Sequence, residues 1–162
     1  FQYGALFDSL TVGENIAFVD YINNKLNFRS KVANSLKEVG LSPDIYNKYP
    51  AEISGGMKKR VALARAIYKK PDVIFLDEPT TGLDPVNSDM INELILRIIQ
   101  KKKMTAITIT HDIQSALKTG HNYHFLNEGI VEDSGTCKKL LQSKNKFLNE
   151  FLLGVKNLQR NK

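Results

Sequence analysis

Asp77 and Glu78 are adjacent carboxylates at the end of an unbroken apolar run, Val73 to Leu76. Two neighbouring acids in that setting can divide labour. One can hold a hard cation such as Mg²⁺ while the other poises a water. Side chains alternate along a strand, so the two acids are expected to point to different sides. Ser54-Gly55-Gly56 opens a second chemically suggestive stretch, MKKRVALARAIYKK. Serine is a good N-cap, and glycines in a helix's first turn weaken it. Close approach of a phosphate to bare backbone N–H groups is one reason to keep them. Alone, the first feature reads equally well as a buried strand ending in a polar loop. The second, alone, reads better as a flexible cap. His111 is the third candidate, because it follows a second β-branched run, Thr105 to Thr110. His121 and His124 have no comparable place and carry no assignment.

These residues need elements to position them. A continuous apolar run ending in acids suits a strand of a parallel sheet, buried on both faces, with ligands beyond its carboxyl end. Pro79 stops the ladder and Gly82 permits a tight turn. Asp84-Pro85 reads as N-cap and N1 of a helix whose buried face is Ile91, Leu94, Ile95 and Ile98. Strand, crossover helix and strand make a parallel βαβ unit, right-handed by default. Its two carboxyl ends share an edge, so His111 is expected near Asp77 and Glu78. Val61, Leu63, Ala64, Ala66 and Ile67 give the helix after Ser54 its apolar stripe.

Upstream, Thr11 to Glu14 has capping-box spacing, which predicts a helix to about Tyr21. Phe28, Val32, Ala33, Leu36 and Val39 recur at helical spacing before Gly40. The first fifty or so residues therefore read as all-helical. Downstream, residues 113–119 read as a short helix, and Asn127-Glu128-Gly129 as the turn of a hairpin. Residues 136–143 and 145–153 read as two small helices. The predicted organisation is a helical part over 1–66, a sheet-containing core over 67–135 and C-terminal helices with a basic tail over 136–162.

The chain has 162 residues, enough for one domain with a core, and a net charge of +6. Its lysine clusters read as solvated helix ends. A basic surface also favours anionic partners, but no aromatics interleave to stack bases, which argues against nucleic acid. No stretch approaches the ~20 apolar residues of a membrane span. The single cysteine, Cys137, excludes an internal disulfide and fits a reducing compartment.

Gln2, Ser54-Gly55-Gly56, Asp77-Glu78 and His111 occur in that order, with ARAI between the second and third. In this combination the chain resembles the ATPase subunits of ATP-binding-cassette transporters, from Gln2 to about residue 153. Within that family it is most similar to the Mla-type lipid-transport ATPases that work with mammalian-cell-entry proteins. FQYGALFDSLTVGENI, ISGGMKKRVALARAI and NEFLLG carry that likeness, with Met57 where most of the superfamily has Gln.

The resemblance implies an α/β fold, a partial P-loop NTPase (RecA-like) parallel-sheet core with an α-helical signature subdomain. It implies ATP and Mg²⁺ as cofactors. Gln2 resembles the Q-loop glutamine, which contacts Mg²⁺ and the attacking water. Ser54, Gly55, Gly56 and Met57 resemble the signature that grips ATP bound to the other subunit. Asp77 resembles the Walker B aspartate serving Mg²⁺, and Glu78 the general base. Asp84 falls in the stretch resembling the D-loop at the dimer seam, and His111 resembles the switch histidine. The implied partners are a second cassette subunit, an integral membrane permease and a mammalian-cell-entry lipid-binding protein, at the cytoplasmic face of the inner or plasma membrane. Tyr3 to Asn15 is the expected permease contact.

GxxxxGK[ST], the Walker A motif, does not occur in the chain. The sequence therefore reads as the C-terminal portion of a cassette, expected to lack hydrolysis alone and to leave one side of its sheet uncovered and apolar. Two alternatives are a soluble cassette ATPase of translation or DNA repair, and a non-catalytic remnant. The roughly fifty residues before Ser54 lack the heptads of a coiled coil, which disfavours the chromosome-maintenance type.

Overall fold

The computed structural model describes residues 5–25 and 27–160, with side chains through Leu153. Contacts divide the chain into two compact units, one ending at Ile109 and the other beginning at Thr110.

In the first unit, Thr11 caps a short helix, α1 (Val12–Ile16), through a complete capping box. The Glu14 N–H donates to Thr11 Oγ1 at 3.3 Å, and the Thr11 N–H donates to Glu14 Oε2 at 2.7 Å. The helix expected to run on to Tyr21 instead breaks at Ala17 and restarts as α2 (Phe18–Ile22). Asn15 anchors the first of these two short helices. It is buried, and its side-chain amide serves the backbone of Phe7, Leu10 and Thr11, which ties α1 to the loop before it. α3 (Arg29–Glu38) follows, then 3-10 turns at Pro43–Asn47 and Pro50–Glu52. Gly13 lies so close to the Tyr46 ring that a Cβ there would sit 2.4 Å from it, so only glycine fits.

α4 (Gly55–Ile67) is the hub of this unit, and α1 and α3 both pack on it. Val61, Leu63, Ala64 and Ile67 of α4 join Val12, Ile16, Val32 and Leu36 in one buried cluster. Burying each such aliphatic side chain contributes roughly 1.5–3 kcal/mol. Ala66, expected in the buried stripe, is exposed. It falls about 160° from Ala64 and about 100° from Ile67 around a 3.6-residue turn, off the packed arc.

β1 (Val73–Asp77), α5 (Pro85–Lys102) and β2 (Thr105–Ile109) form the expected βαβ unit. The strands are parallel, with Val73 opposite Thr105 and Asp77 opposite Ile109. Ile91, Leu94, Ile95 and Ile98 bury α5 against the core. β1 is not buried on both faces. Ile74 packs inward, while Phe75 is 68% and Ile109 59% exposed, with Ile107 and Val73 beside them. This is the bare apolar sheet face expected of a partial core.

The second unit holds α6 (Ile113–Thr119), β3 (Asn122–Asn127), β4 (Ile130–Thr136), a 3-10 turn (Cys137–Gln142) and α7 (Lys146–Arg160). β3 and β4 pair antiparallel through a two-residue turn, Glu128 (φ +49°) and Gly129 (φ +80°). Leu140, Leu148 and Leu152 form its core with Ile113, Leu117 and Phe125 against them. α7 is one long helix where the sequence suggested an end near 153.

Candidate functional site

β1 delivers Asp77 as its last residue, and the chain then turns sharply. Glu78 adopts φ +46°, a left-handed conformation costly for a non-glycine residue and concentrated at functional sites. Its N–H donates to the carbonyl of Ile109 at 2.9 Å, closing the ladder at the carboxyl end of the sheet. Thr81 Oγ1 donates to Glu78 Oε2 at 2.7 Å. The turn continues through Gly82 (φ +77°) to Asp84, which caps α5 as the sequence predicts. The Asn87 N–H donates to Asp84 Oδ1 at 3.0 Å, and this bonding holds the Asp84 carboxyl below its usual range.

Asp77 is exposed, and no hydrogen bond or salt bridge occupies its carboxylate among the described residues. The described residues hold no group of three acids, histidines or cysteines able to cage a metal. A single exposed carboxylate such as Asp77 is a donor of the kind Mg²⁺ uses, since that ion takes one or two carboxylates and completes its shell with water and substrate phosphates. Asp77 would hold such an ion. Glu78 is engaged instead by the Thr81 hydroxyl.

Ser54 caps α4, accepting the Met57 N–H at 3.3 Å. Ser54 and Gly55 are exposed, and a Cβ added to Gly55 or Gly56 would meet nothing within 4 Å. The glycines therefore serve no packing purpose in this fold, and they sit at the positive end of a 13-residue helix, whose first N–H groups have no partner within the helix. Met57, beside them, is half-buried against the core.

β2 ends at Ile109, two residues before His111, which is exposed. Asp112 caps α6 by accepting the Gln114 N–H at 2.9 Å and the Ser115 hydroxyl at 2.6 Å. His111 belongs to the second unit and Asp77 and Glu78 to the first. Gln2 lies outside the described residues.

Two residues near this site escape a reading by motif. Thr81 is three positions beyond Glu78, the reach of a hydroxyl across a turn, and that spacing was the available signal. Lys59 lies on α4, where burial pushes its ammonium below the usual range and the charge of Glu78 partly offsets this. Nothing local in the sequence connects residues 59 and 78.

The model of the ABC transporter family matches residues 1–81. The chain belongs to the ABC transporter family. It is 37% identical over 157 residues to the intermembrane phospholipid transport system ATP-binding protein MlaF of Haemophilus influenzae, covering 95% of this chain and 59% of that protein. It is 35% identical over 159 residues to the thiamine import ATP-binding protein ThiQ of Aliivibrio fischeri, covering 96% of this chain and 68% of that one. Among solved structures, the ATP-binding cassette MJ0796, a dimer in a post-hydrolysis state bound to ADP and Pi, superposes with a TM-score of 0.71 at 30% identity. That match covers 85% of this chain and 61% of the cassette. The fold is thus that of the ABC ATPase cassettes, and the chain spans about three fifths of the length of the MlaF relative.

Proposed function

We propose that the whole protein hydrolyses ATP, with Mg²⁺, to drive a membrane transporter whose cargo is phospholipid. The observation that carries the ATPase reading is the strained Glu78. It stands at the carboxyl end of a parallel strand beside the exposed Asp77 carboxylate, in a chain whose α4 opens on two glycines with open space at their Cβ positions.

When bound, Mg²⁺ supplies charge neutralisation to the phosphates. Asp77 holds the ion. Glu78, oriented by Thr81, takes the proton of the attacking water. Ser54, Gly55, Gly56 and Met57 grip ATP bound to a second copy, and Asp84 lies at the seam between copies. His111 hydrogen-bonds the γ-phosphate, and Gln2 senses both the ion and the permease. Phosphoryl transfer asks chiefly for positioning and charge stabilisation, which such donors supply.

The dimeric state of MJ0796 supports a pair of subunits, which we take as head-to-tail, and the name of the MlaF relative supports phospholipid cargo; a mammalian-cell-entry partner rests on the sequence resemblance alone. ThiQ, at nearly the same identity, is named for thiamine import, so a small-molecule cargo is the second reading. No described helix is long and apolar enough to cross a membrane, which suits a subunit docked on an integral permease at the cytoplasmic face.

In the whole protein, Glu78→Gln should preserve ATP binding and slow hydrolysis by roughly 10²–10⁴-fold. A near-normal rate would remove Glu78 from the base role. ATP-dependent transfer of labelled phospholipid between vesicles, set against thiamine uptake, decides the cargo.

A further inference from the structure

A cleft of about 650 Å³ opens on the first unit, lined from α3 and the last turns of α4 and α5 and sharing no residue with the Asp77–Asp84 turn or the Ser54 cap. Five lysines line it against two carboxylates. Both carboxylates are already engaged. Asp20, 4% exposed, accepts from the Lys69 ammonium and from the Tyr68 hydroxyl at 2.7 Å, with Lys25 at 3.5 Å. Glu38 pairs with Lys102 at 2.9 Å. No described carboxylate pairs with the other three lysines, Lys31, Lys37 and Lys70. They come from two separate elements onto one concavity, so their charges add there. Lys70 follows α4 at φ +52°, a position where glycine is the usual choice.

We infer that this cleft binds a phosphate-bearing anion, held by Lys31, Lys37 and Lys70, at a site separate from the nucleotide machinery. The volume lies within the range of small-ligand sites and exceeds what a lone inorganic ion needs. Ammonium groups act as mobile point charges toward phosphate, so they suit a ligand of several charges over one that needs bidentate geometry. Tyr68, the aromatic of the cleft, is buried with its hydroxyl committed to Asp20, so no ring is offered for base stacking. An occupied cleft would also tie α3 to the end of α4, beside the Glu38–Lys102 pair that already ties α3 to α5.

The test is amine acetylation of the whole protein, read by mass spectrometry at each lysine. Millimolar pyrophosphate should slow modification of Lys31, Lys37 and Lys70 several-fold and leave Lys48 and Lys144, exposed outside the cleft, unchanged. Protection by phosphatidylglycerol vesicles but not by pyrophosphate would assign the anion to a lipid headgroup, and the converse to a soluble phosphate. In Lys31→Glu/Lys70→Glu, the concentration needed to protect Lys37 should rise roughly tenfold or more, from the loss of two charges near the anion. Two outcomes overturn the inference. One is equal acetylation with and without both probes. The other is protection that extends to Lys48 and Lys144 or persists in the double variant.

Discussion

The Thr81 hydroxyl donates a 2.7 Å hydrogen bond to Glu78 Oε2, across a turn in which Glu78 itself holds a left-handed backbone. The side chain of the proposed base is therefore anchored by Thr81, while its N–H is anchored to Ile109. Thr81 acts only by positioning Glu78. Thr81→Val keeps the shape and removes the donor. A net hydrogen bond is worth about 1 kcal/mol, or roughly fivefold in rate. The expected outcome in the whole protein is kcat reduced about fivefold with KM for ATP unchanged. A matching rise in KM would mean that Thr81 serves nucleotide binding instead, and Thr81→Ser should restore most of the rate.

Gly55 separates packing from function in an unusually direct way. A Cβ there meets nothing within 4 Å, so Gly55→Ala should leave the fold intact or stabilise α4 by up to about 0.5 kcal/mol. If those N–H groups approach phosphate across a dimer seam, the same methyl should lower ATPase activity at least tenfold. A variant with raised Tm and depressed hydrolysis is the expected pair. Unchanged hydrolysis would detach the signature stretch from the nucleotide.

The site's local parts were legible because each depends on a few neighbouring residues. The capping box at Thr11, the Asp84 cap of α5, the Ser54 cap of α4 and the turn at Glu128-Gly129 follow from side chains three or fewer positions apart. The parallel pairing of β1 and β2 followed from an apolar run, a helix-length crossover and a β-branched run. What the sequence hid is long-range. The lysine clusters read as solvated helix ends, yet Lys69 reaches Asp20 and Lys102 reaches Glu38, 49 and 64 positions away. No local pattern encodes such pairs, and the basic cleft depends on both of them. The bare face carrying Phe75 and Ile109 contradicts the continuous apolar run only superficially, since that run specifies a face to be covered without specifying what covers it.

Asp20 sets a pH signature. The Lys69 hydrogen bond, then that of Tyr68, lowers its carboxyl from 3.8 to about 2 against the opposing cost of burial. A depressed carboxyl contributes stability that is complete above the unfolded value and lost as pH falls through the folded one. The window is therefore roughly pH 4 down to 2. Asp20→Asn should lower Tm by about 5 °C or more at neutral pH, since it strands Lys69 and Tyr68 around a neutral amide. Its Tm should also fall less steeply than the wild type's across that acid window, as followed by circular dichroism. Parallel slopes would mean that Asp20 is not charged differently in the folded state.

The proposed permease contact over Tyr3 to Asn15 needs a variant that changes charge without unfolding the surface. Glu14 fails that requirement. Its carboxylate accepts from both the Thr11 N–H and the Thr11 hydroxyl, so Glu14→Lys would remove a helix cap worth ~1 kcal/mol along with the charge. Asp8 meets it, being exposed and outside every described hydrogen bond and ion pair. Asp8→Lys should leave Tm within about 2 °C, as surface substitutions generally do, and leave cassette dimerisation unchanged. It should nevertheless reduce recovery of the permease in co-purification severalfold, and the loss should narrow as Asp8's contribution is screened by added salt. Glu14→Lys should reduce recovery too, but with a lowered Tm, which separates a lost cap from a lost contact. Full recovery with Asp8→Lys would move the docking surface away from this loop.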